Sequence, residues 1–108
     1  MYLVVVYVPE CDVDSVIESM SAAGAGRIGD YDQCAWKVLG QGQFRPLAGA
    51  NPHIGSVGDL ERVPEFRVEM VCEQSVIKAV MAAMVAAHPY EEPAHHVLPV
   101  MSAGDFSE

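Results

Sequence analysis

An α+β fold, with one antiparallel sheet and two helices on one face, is predicted by three patterns in this sequence. Residues 2–8 are β-branched and aromatic and end at Pro9, which is typical of a strand. Two stretches carry apolar residues at three- and four-residue spacing, as amphipathic helices do. Residues 62–72 alternate apolar and polar side chains, as a half-buried strand does. The order strand, helix, strand pair, strand, helix, strand indicates a ferredoxin-like (βαββαβ) sandwich.

The two helices are predicted from apolar stripes and from their stop signals. The first runs from about Asp12 to Ala23, and Gly24 follows it as a terminator. The second runs from about Gln74 to Ala87, and Pro89 ends it because proline disfavours helical geometry at His88. The stripe residues are Val13, Val16, Ile17, Met20 and Ala23 in the first helix, and Val76, Ile77, Val80, Met81 and Met84 in the second.

Glycine and proline bound the remaining strands. Residues 31–39 and 42–47 are expected to form an inserted hairpin or bent strand pair around residues 40–42, before a long loop over 49–58. Phe66, Val68, Met70 and Cys72 share one face of the strand over 62–72. Pro99 places the last strand, over 94–100, at an edge. We predict a single domain over 1–100 and a flexible tail over 101–108.

Composition indicates a globular domain with an acidic surface. The chain has 108 residues, 51% of them hydrophobic, and a net charge of −9. An acidic surface suits cations or simple solubility, and without a Lys/Arg cluster nucleic acid is not an expected partner. No apolar run reaches the roughly 20 residues of a membrane span, and the N-terminus lacks the basic region of a signal peptide. We expect a soluble, cytoplasmic protein with no membrane partner and three reduced cysteines.

The first strand is apolar on both faces, which predicts self-association. Tyr2, Val4, Val6 and Val8 alternate with Leu3, Val5 and Tyr7, and the helices can cover only one of these sets. A strand buried on both faces needs a second cover. Another copy of the chain is the expected cover; the alternative is that the inserted hairpin folds back over the sheet.

Residues 24–29 match the G-x-G-x-x-G spacing of a dinucleotide-binding turn, but the context differs. That fingerprint requires a strand before the first glycine and a helix after the last one. Here a predicted helix precedes Gly24 and a predicted strand follows Gly29. Gly24 is better explained as a helix-terminating residue with positive φ, and Gly26 and Gly29 as turn residues. We expect no nucleotide at this motif.

The densest polar cluster is HPYEEPAHH, residues 88–96. Imidazole and carboxylate ligands suit a divalent metal ion such as zinc, copper or nickel. His95 and His96 are neighbours in a strand and point to opposite faces, so at most one of them can join His88 and a glutamate. One chain then offers two or three ligands, and a neighbouring subunit would have to add more. The structural alternative is that His88 interacts with the helix dipole while the prolines set the turn.

Other chemistry is less well supported by the sequence. No Ser-His-Asp arrangement is visible, and Cys34 and Cys72 have no neighbouring base. Arg45, Asn51 and His53 lie in or near the long loop. Loops of this length are often functional, and this one could bind a ligand or contact another subunit.

Three stretches, GAGRIGDYDQCAW, GQGQFRPLAGANPHIGSVGDLERV and HPYEEPA, resemble the insertion domain of the dinuclear-metal-centre family. That family is named for the NGG-interacting factor of yeast and includes the bacterial YqfO-type proteins. HPYEEP also resembles a stretch of CutA, a trimeric divalent-cation-tolerance protein with a ferredoxin-like topology, and the insertion domain is considered CutA-like and PII-like. The resemblance covers residues 1–98.

The resemblance implies an accessory module without the flanking domains that carry the family's dimetal site, so we do not carry over its hydrolase activity. It implies a non-enzymatic oligomer, a trimer by similarity to CutA, that binds a divalent metal ion or a small ligand at subunit clefts. His88, Glu91 and Glu92 match the motifs and are the candidate ligands, and Glu69 on the preceding strand is a further candidate. The alternative is a protein-interaction module that docks on a full-length relative or another enzyme through the sheet face and the loop over 49–58.

Overall fold

The computed structural model describes residues 1–107 and has the βαββαβ order of the predicted fold. The sheet is antiparallel with strand order β2-β3-β1-β4, which confirms the ferredoxin-like prediction. The elements are β1 (Tyr2–Pro9), α1 (Val13–Ala22), β2 (Trp36–Phe44), β3 (Glu61–Cys72), α2 (Ile77–Ala87), β4 (His95–Pro99) and a 3-10 turn (Ala103–Phe106).

One hydrophobic core lies between the sheet and the two helices. Alternate residues of β1 and β3 face it, and the stripes of α1 and α2 close it from the other side. Burying each valine or methionine there contributes about 1.5–3 kcal/mol. The most deeply buried members are Val4, Val6, Val8, Val16, Met20, Val68, Met70, Val80 and Met84.

The expected strand pair around residues 40–42 is wrong. Residues 36–44 form one continuous strand, in which Gly40 lies opposite Glu65 and Gly42 opposite Val63. Glycines suggest a turn locally, but β3 pairs with each residue of β2 from Trp36 to Phe44, and this pairing overrides the local preference. The hairpin therefore joins β2 to β3 through a loop over 45–60, which includes the predicted loop.

The G-x-G-x-x-G segment is a turn that joins α1 to the sheet. Gly24 has a φ of +117° and directly follows Ala23, the C-cap residue of α1, which confirms its predicted role. The Gly26 N–H donates to the Val71 carbonyl at 2.8 Å, and a Cβ on Gly26 would lie 2.6 Å from the Cys34 carbonyl oxygen. Close packing of backbone against backbone explains the glycine at this position.

None of the helices in the described range combines the length and the apolar character that crossing a membrane requires. After β4, Ser102 and Asp105 form a capping box around the 3-10 turn. The flexible tail over 101–108 stays a prediction, and Glu108 lies outside the described residues.

Candidate functional site

A cleft of about 780 Å³ opens between the loop over 45–54 and the turn over 88–94. We call it the Tyr90 cleft. Its volume falls in the range of about 300–1,000 Å³ that is usual for small-molecule sites. Tyr7 and Glu65 line it, and they belong to the alternate positions of β1 and β3 that face away from the helices. The polar and aromatic side chains of the lining are Gln43, Phe44, Arg45, His53, Tyr90, Glu91 and Glu92, besides Tyr7 and Glu65.

The Glu65 carboxylate lies at the base of this cleft because β2 carries glycine beside it. Glu65 is only 9% exposed. A Cβ on Gly42 would overlap the Glu65 carboxylate, whereas a Cβ on Gly40 would only approach the Glu65 carbonyl oxygen at 4.0 Å. The Tyr90 hydroxyl donates to Glu65 Oε2 at 2.8 Å. Gly42 thus leaves the space in which the acidic side chain of β3 meets the turn after α2.

His88 supports the turn from behind Tyr90. Pro89 ends α2, so that His88 is extended, with φ of −72° and ψ of 134°. The Tyr90 N–H donates to His88 Nδ1 at 3.1 Å, so the proton of the neutral ring is on Nε2, which donates to the Tyr7 carbonyl at 2.7 Å. Burial lowers the pKa of His88, against the opposing effects of the Tyr7 hydrogen bond and of nearby Glu65 and Asp12. His88 is therefore a neutral link between β1 and the turn.

Aromatic rings form the wall of the cleft around Tyr90. The Phe44 ring lies 5.6 Å from the Tyr90 ring at an interplanar angle of 62°, and the His53 ring lies 6.4 Å away. Burial, followed by the Glu65 hydrogen bond, raises the pKa of Tyr90 far above its ordinary value. Tyr90 therefore stays a neutral phenol that donates to Glu65.

The rim of the cleft is acidic. Glu91 Oε1 accepts a hydrogen bond from the Asn51 N–H at 3.2 Å, which ties the long loop to the turn. Glu92 also lines the cleft, and both side chains are exposed. The Lys or Arg ion pairs formed within residues 1–107 are Lys37–Asp14 at 2.7 Å and Arg67–Glu69 at 3.2 Å. The three carboxylates of the cleft thus have no cationic partner in the described part of the chain.

The structure brings only some of the predicted ligands together. Glu91 and Glu92 lie at the rim, and both ring nitrogens of His88 are already hydrogen-bonded to backbone. Glu69 lies on the sheet outside the cleft and pairs with Arg67. No group of three His, Cys, Asp or Glu side chains in the described range is arranged to hold a metal ion. The metal site stays a prediction.

The register confirms that the paired histidines of β4 diverge. His95 pairs with Val6, which faces the core, whereas His96 pairs with Val5 on the opposite face. His95 Nδ1 lies 2.7 Å from the Pro93 carbonyl oxygen. Neither histidine lines the Tyr90 cleft.

The central residue of the cleft, Glu65, was missed by the sequence analysis. Glu65 occupies the same face of β3 as Arg67 and Glu69. This alternation predicts a polar face and gives no indication that Glu65 is buried. The available signal was the unusual pair of glycines, Gly40 and Gly42, between Leu39 and Phe44, which we interpreted as a turn. Only the pairing of β2 with β3 reveals that a glycine makes room for a carboxylate.

Beyond the cleft, the same side of the sheet is open. We call this surface the open face; it is formed by Leu3, Val5, Trp36, Val38, Glu69, Val71, His96 and Leu98. Trp36 is 57% exposed and Val38 and Leu98 are each 44% exposed, while Val5 is only 1% exposed. β1 is thus partly covered on its second side within one chain, and the flanking strands leave apolar surface in solvent.

Comparison with known proteins agrees with the family resemblance. No family model matches the chain. It is 53% identical over 93 residues to the GTP cyclohydrolase 1 type 2 homolog of Mycobacterium leprae, covering 86% of this chain and 24% of that protein. It is 50% identical over 95 residues to the Bacillus subtilis protein of the same name, covering 88% and 26%. The chain therefore spans about a quarter of the length of these curated relatives.

Solved structures give the same result for the fold. A Bacillus cereus protein related to NIF3 superposes with a TM-score of 0.81 and 40% identity, over 94% of this chain and 26% of that one. The periplasmic divalent cation tolerance protein CutA of Archaeoglobus fulgidus superposes with a TM-score of 0.69 over 98% of this chain and 91% of its own. CutA is only 14% identical, so this likeness shows the fold alone.

Proposed function

On the premise that this chain is a CutA-like, NIF3/YqfO-type sequence, we propose that it is a non-enzymatic module that binds a small ligand or a divalent metal ion in the Tyr90 cleft. One observation carries the proposal: a cleft of about 780 Å³ has a nearly buried carboxylate at its base and two more at its rim. Concave sites with an apolar lining and a few convergent polar groups are the usual form of small-molecule sites.

The proposal that the module is not an enzyme rests on the protonation of Cys72 and the hydrogen bonds of His88. Cys72 is buried, and burial raises the pKa of its thiol, which opposes the thiolate form that a nucleophile needs. Both His88 ring nitrogens are hydrogen-bonded to backbone groups, so the ring has no free lone pair with which to act as a general base. The name of the longer relatives refers to GTP cyclohydrolase, but this chain spans about a quarter of their length, and we do not extend that activity to it.

A ligand screen by NMR tests the small-ligand form of the proposal. Fragments added at millimolar concentration to 15N-labelled protein are expected to shift the amide signals of Phe44, His53 and Tyr90 before others. A panel of cationic, neutral and anionic fragments that leaves every cleft signal unmoved would contradict ligand binding at this site.

The divalent-metal form of the proposal uses Glu91 and Glu92, because the other two predicted ligands are occupied: His88 is hydrogen-bonded to the backbone through both ring nitrogens, and Glu69 pairs with Arg67 outside the cleft. Zinc prefers four ligands in structural sites, so a second copy of the chain would complete the set for zinc, copper or nickel. Calorimetric titration with zinc chloride is the test: Glu91→Gln combined with Glu92→Gln should remove the heat of binding. Equal heat in this variant and the parent protein would contradict the rim as the metal site.

We also propose that copies of the chain associate through the open face, because Trp36, Val38 and Leu98 leave apolar surface in solvent. A trimer is the assembly that similarity to CutA implies. The same surface supports the alternative of docking on a full-length relative or another enzyme. Analytical ultracentrifugation distinguishes self-association from docking. A protein that stays monomeric at all micromolar concentrations but still binds a full-length relative would favour docking.

A further inference from the structure

We infer that the Tyr90 cleft selects an organic cation, an ammonium or amidinium group carried on an apolar or aromatic body. This inference rests on the proposed function, since it names the chemical class of the ligand for the same cleft. It depends on three features of the described residues: a buried carboxylate without a counter-ion, an aromatic wall beside it, and an acidic rim.

Glu65 is the first feature. It is 9% exposed, and within residues 1–107 the Tyr90 hydroxyl, on Oε2, is the only hydrogen-bond donor to its carboxylate. A neutral hydroxyl compensates a carboxylate less than a cation does, and buried carboxylates are usually paired with a positive charge. Arg45 lines the cleft but forms no ion pair with Glu65. Oε1 therefore remains available for a donor that arrives with the ligand.

The aromatic wall is the second feature. Phe44 and Tyr90 are packed edge to face, 5.6 Å apart, and the His53 ring lies beyond Tyr90. Aromatic faces attract cations that lie within about 6 Å of the ring centre, and such rings recognise organic ammonium groups in other proteins. The rings also provide apolar surface for the body of the ligand.

The balance of charge and the size of the cleft narrow the chemical class of the ligand further. Three carboxylates, of Glu65, Glu91 and Glu92, line the cleft with one guanidinium, of Arg45, and the nearby Arg67 is already bound to Glu69 and the Tyr7 hydroxyl. This balance disfavours a phosphate or other anion. A bare metal ion would use little of a space of about 780 Å³, and no three ligands for it converge within the described residues. An organic cation uses both the charge and the volume.

Benzamidine and benzamide provide a matched pair of probes, because they share shape and differ in charge. We expect the parent protein to bind benzamidine about tenfold or more tightly than benzamide, with shifts at Phe44 and Tyr90 in NMR titrations. Glu65→Gln should reduce this preference to near unity. Glu18→Gln, which removes an exposed carboxylate on α1 outside the cleft, should leave it intact.

The outcomes separate this inference from the proposed function. Equal affinity for the two probes, or shifts in the cleft caused only by neutral fragments, would overturn the cation and leave a ligand-binding cleft. A preference that survives in Glu65→Gln would overturn the role of Glu65. If no compound shifts the cleft signals, the proposed function itself fails. Should Glu65→Gln not fold, Phe44→Leu replaces it, and unchanged benzamidine affinity in that variant would contradict the aromatic wall.

Discussion

The two sides of the sheet differ in what covers them. On the helix side, Val4, Val6 and Val68 are completely buried under the apolar stripes of α1 and α2. On the other side, a loop and a turn cover only one end of the sheet and enclose the cleft around Glu65, while Trp36 remains 57% exposed at the other end. The helix side therefore supplies most of the stability, and the other side supplies surfaces for binding.

Truncation in the helix-side core should have the largest effect. Met20 is fully buried, so Met20→Ala leaves a cavity and should lower the free energy of unfolding by about 2–5 kcal/mol. Urea denaturation measures this loss. Met101→Ala is the matched control, since Met101 is 67% exposed and its loss should lie within about 0.5 kcal/mol. Equal losses would contradict the placement of the core.

A methyl group added beneath the cleft should have the next largest effect. Gly42→Ala forces the Glu65 carboxylate, the end of a flexible side chain, to move away from its Tyr90 donor, and we expect a loss of about 1–2 kcal/mol in urea denaturation. Gly40→Ala, two residues away in the same strand, meets no close atom and should be neutral or slightly stabilising. If the two variants behave alike, Glu65 does not lie over Gly42.

Removal of the Tyr90 hydroxyl should have a smaller effect. Tyr90→Phe leaves Glu65 without its donor, and we expect a loss of about 1 kcal/mol, limited by water that enters the open cleft. Tyr31→Phe serves as the control because Tyr31 is 74% exposed. A Tyr90→Phe protein as stable as the control would show that the hydrogen bond contributes nothing to folding.

A pH-dependent loss of stability should come from His88. Burial lowers its pKa below the ordinary 6.5 in the folded chain. The unfolded chain therefore binds more protons as the pH falls below about 6.5, and stability should decrease from that pH downward through the folded pKa. Denaturation at several pH values measures the slope. His88→Asn should flatten it, and an unchanged slope in this variant would assign the effect to other groups.

The smallest effect on stability should come from the open face. Trp36→Ser changes an exposed side chain, so the free energy of unfolding should shift by no more than about 0.5 kcal/mol. Self-association should nevertheless weaken, as measured by sedimentation. Val85→Ser is the control, since Val85 is 54% exposed but lies on α2, away from the sheet. Loss of assembly in both variants would contradict the open face as the contact.

Local patterns predicted most of the elements and part of the site. β1, α1, β3 and α2 follow from runs and periodicities within single segments, and Gly24 follows from its place after a helix. The opposite orientation of His95 and His96 follows from their adjacency in a strand. Glu91 and Glu92 were singled out as acidic residues of the turn and do line the cleft.

The remaining features depend on residues that are far apart in the chain. β2 continues through Gly40 and Gly42 because it pairs with β3. The burial of Glu65 requires both the space at Gly42 and the hydrogen bond from Tyr90. The periodicity of one segment predicts which side chains share a face, because periodicity is a property of residues that are neighbours in the chain. The register between strands decides which neighbours cover that face, and so whether a polar residue on it is buried. No single segment contains that register.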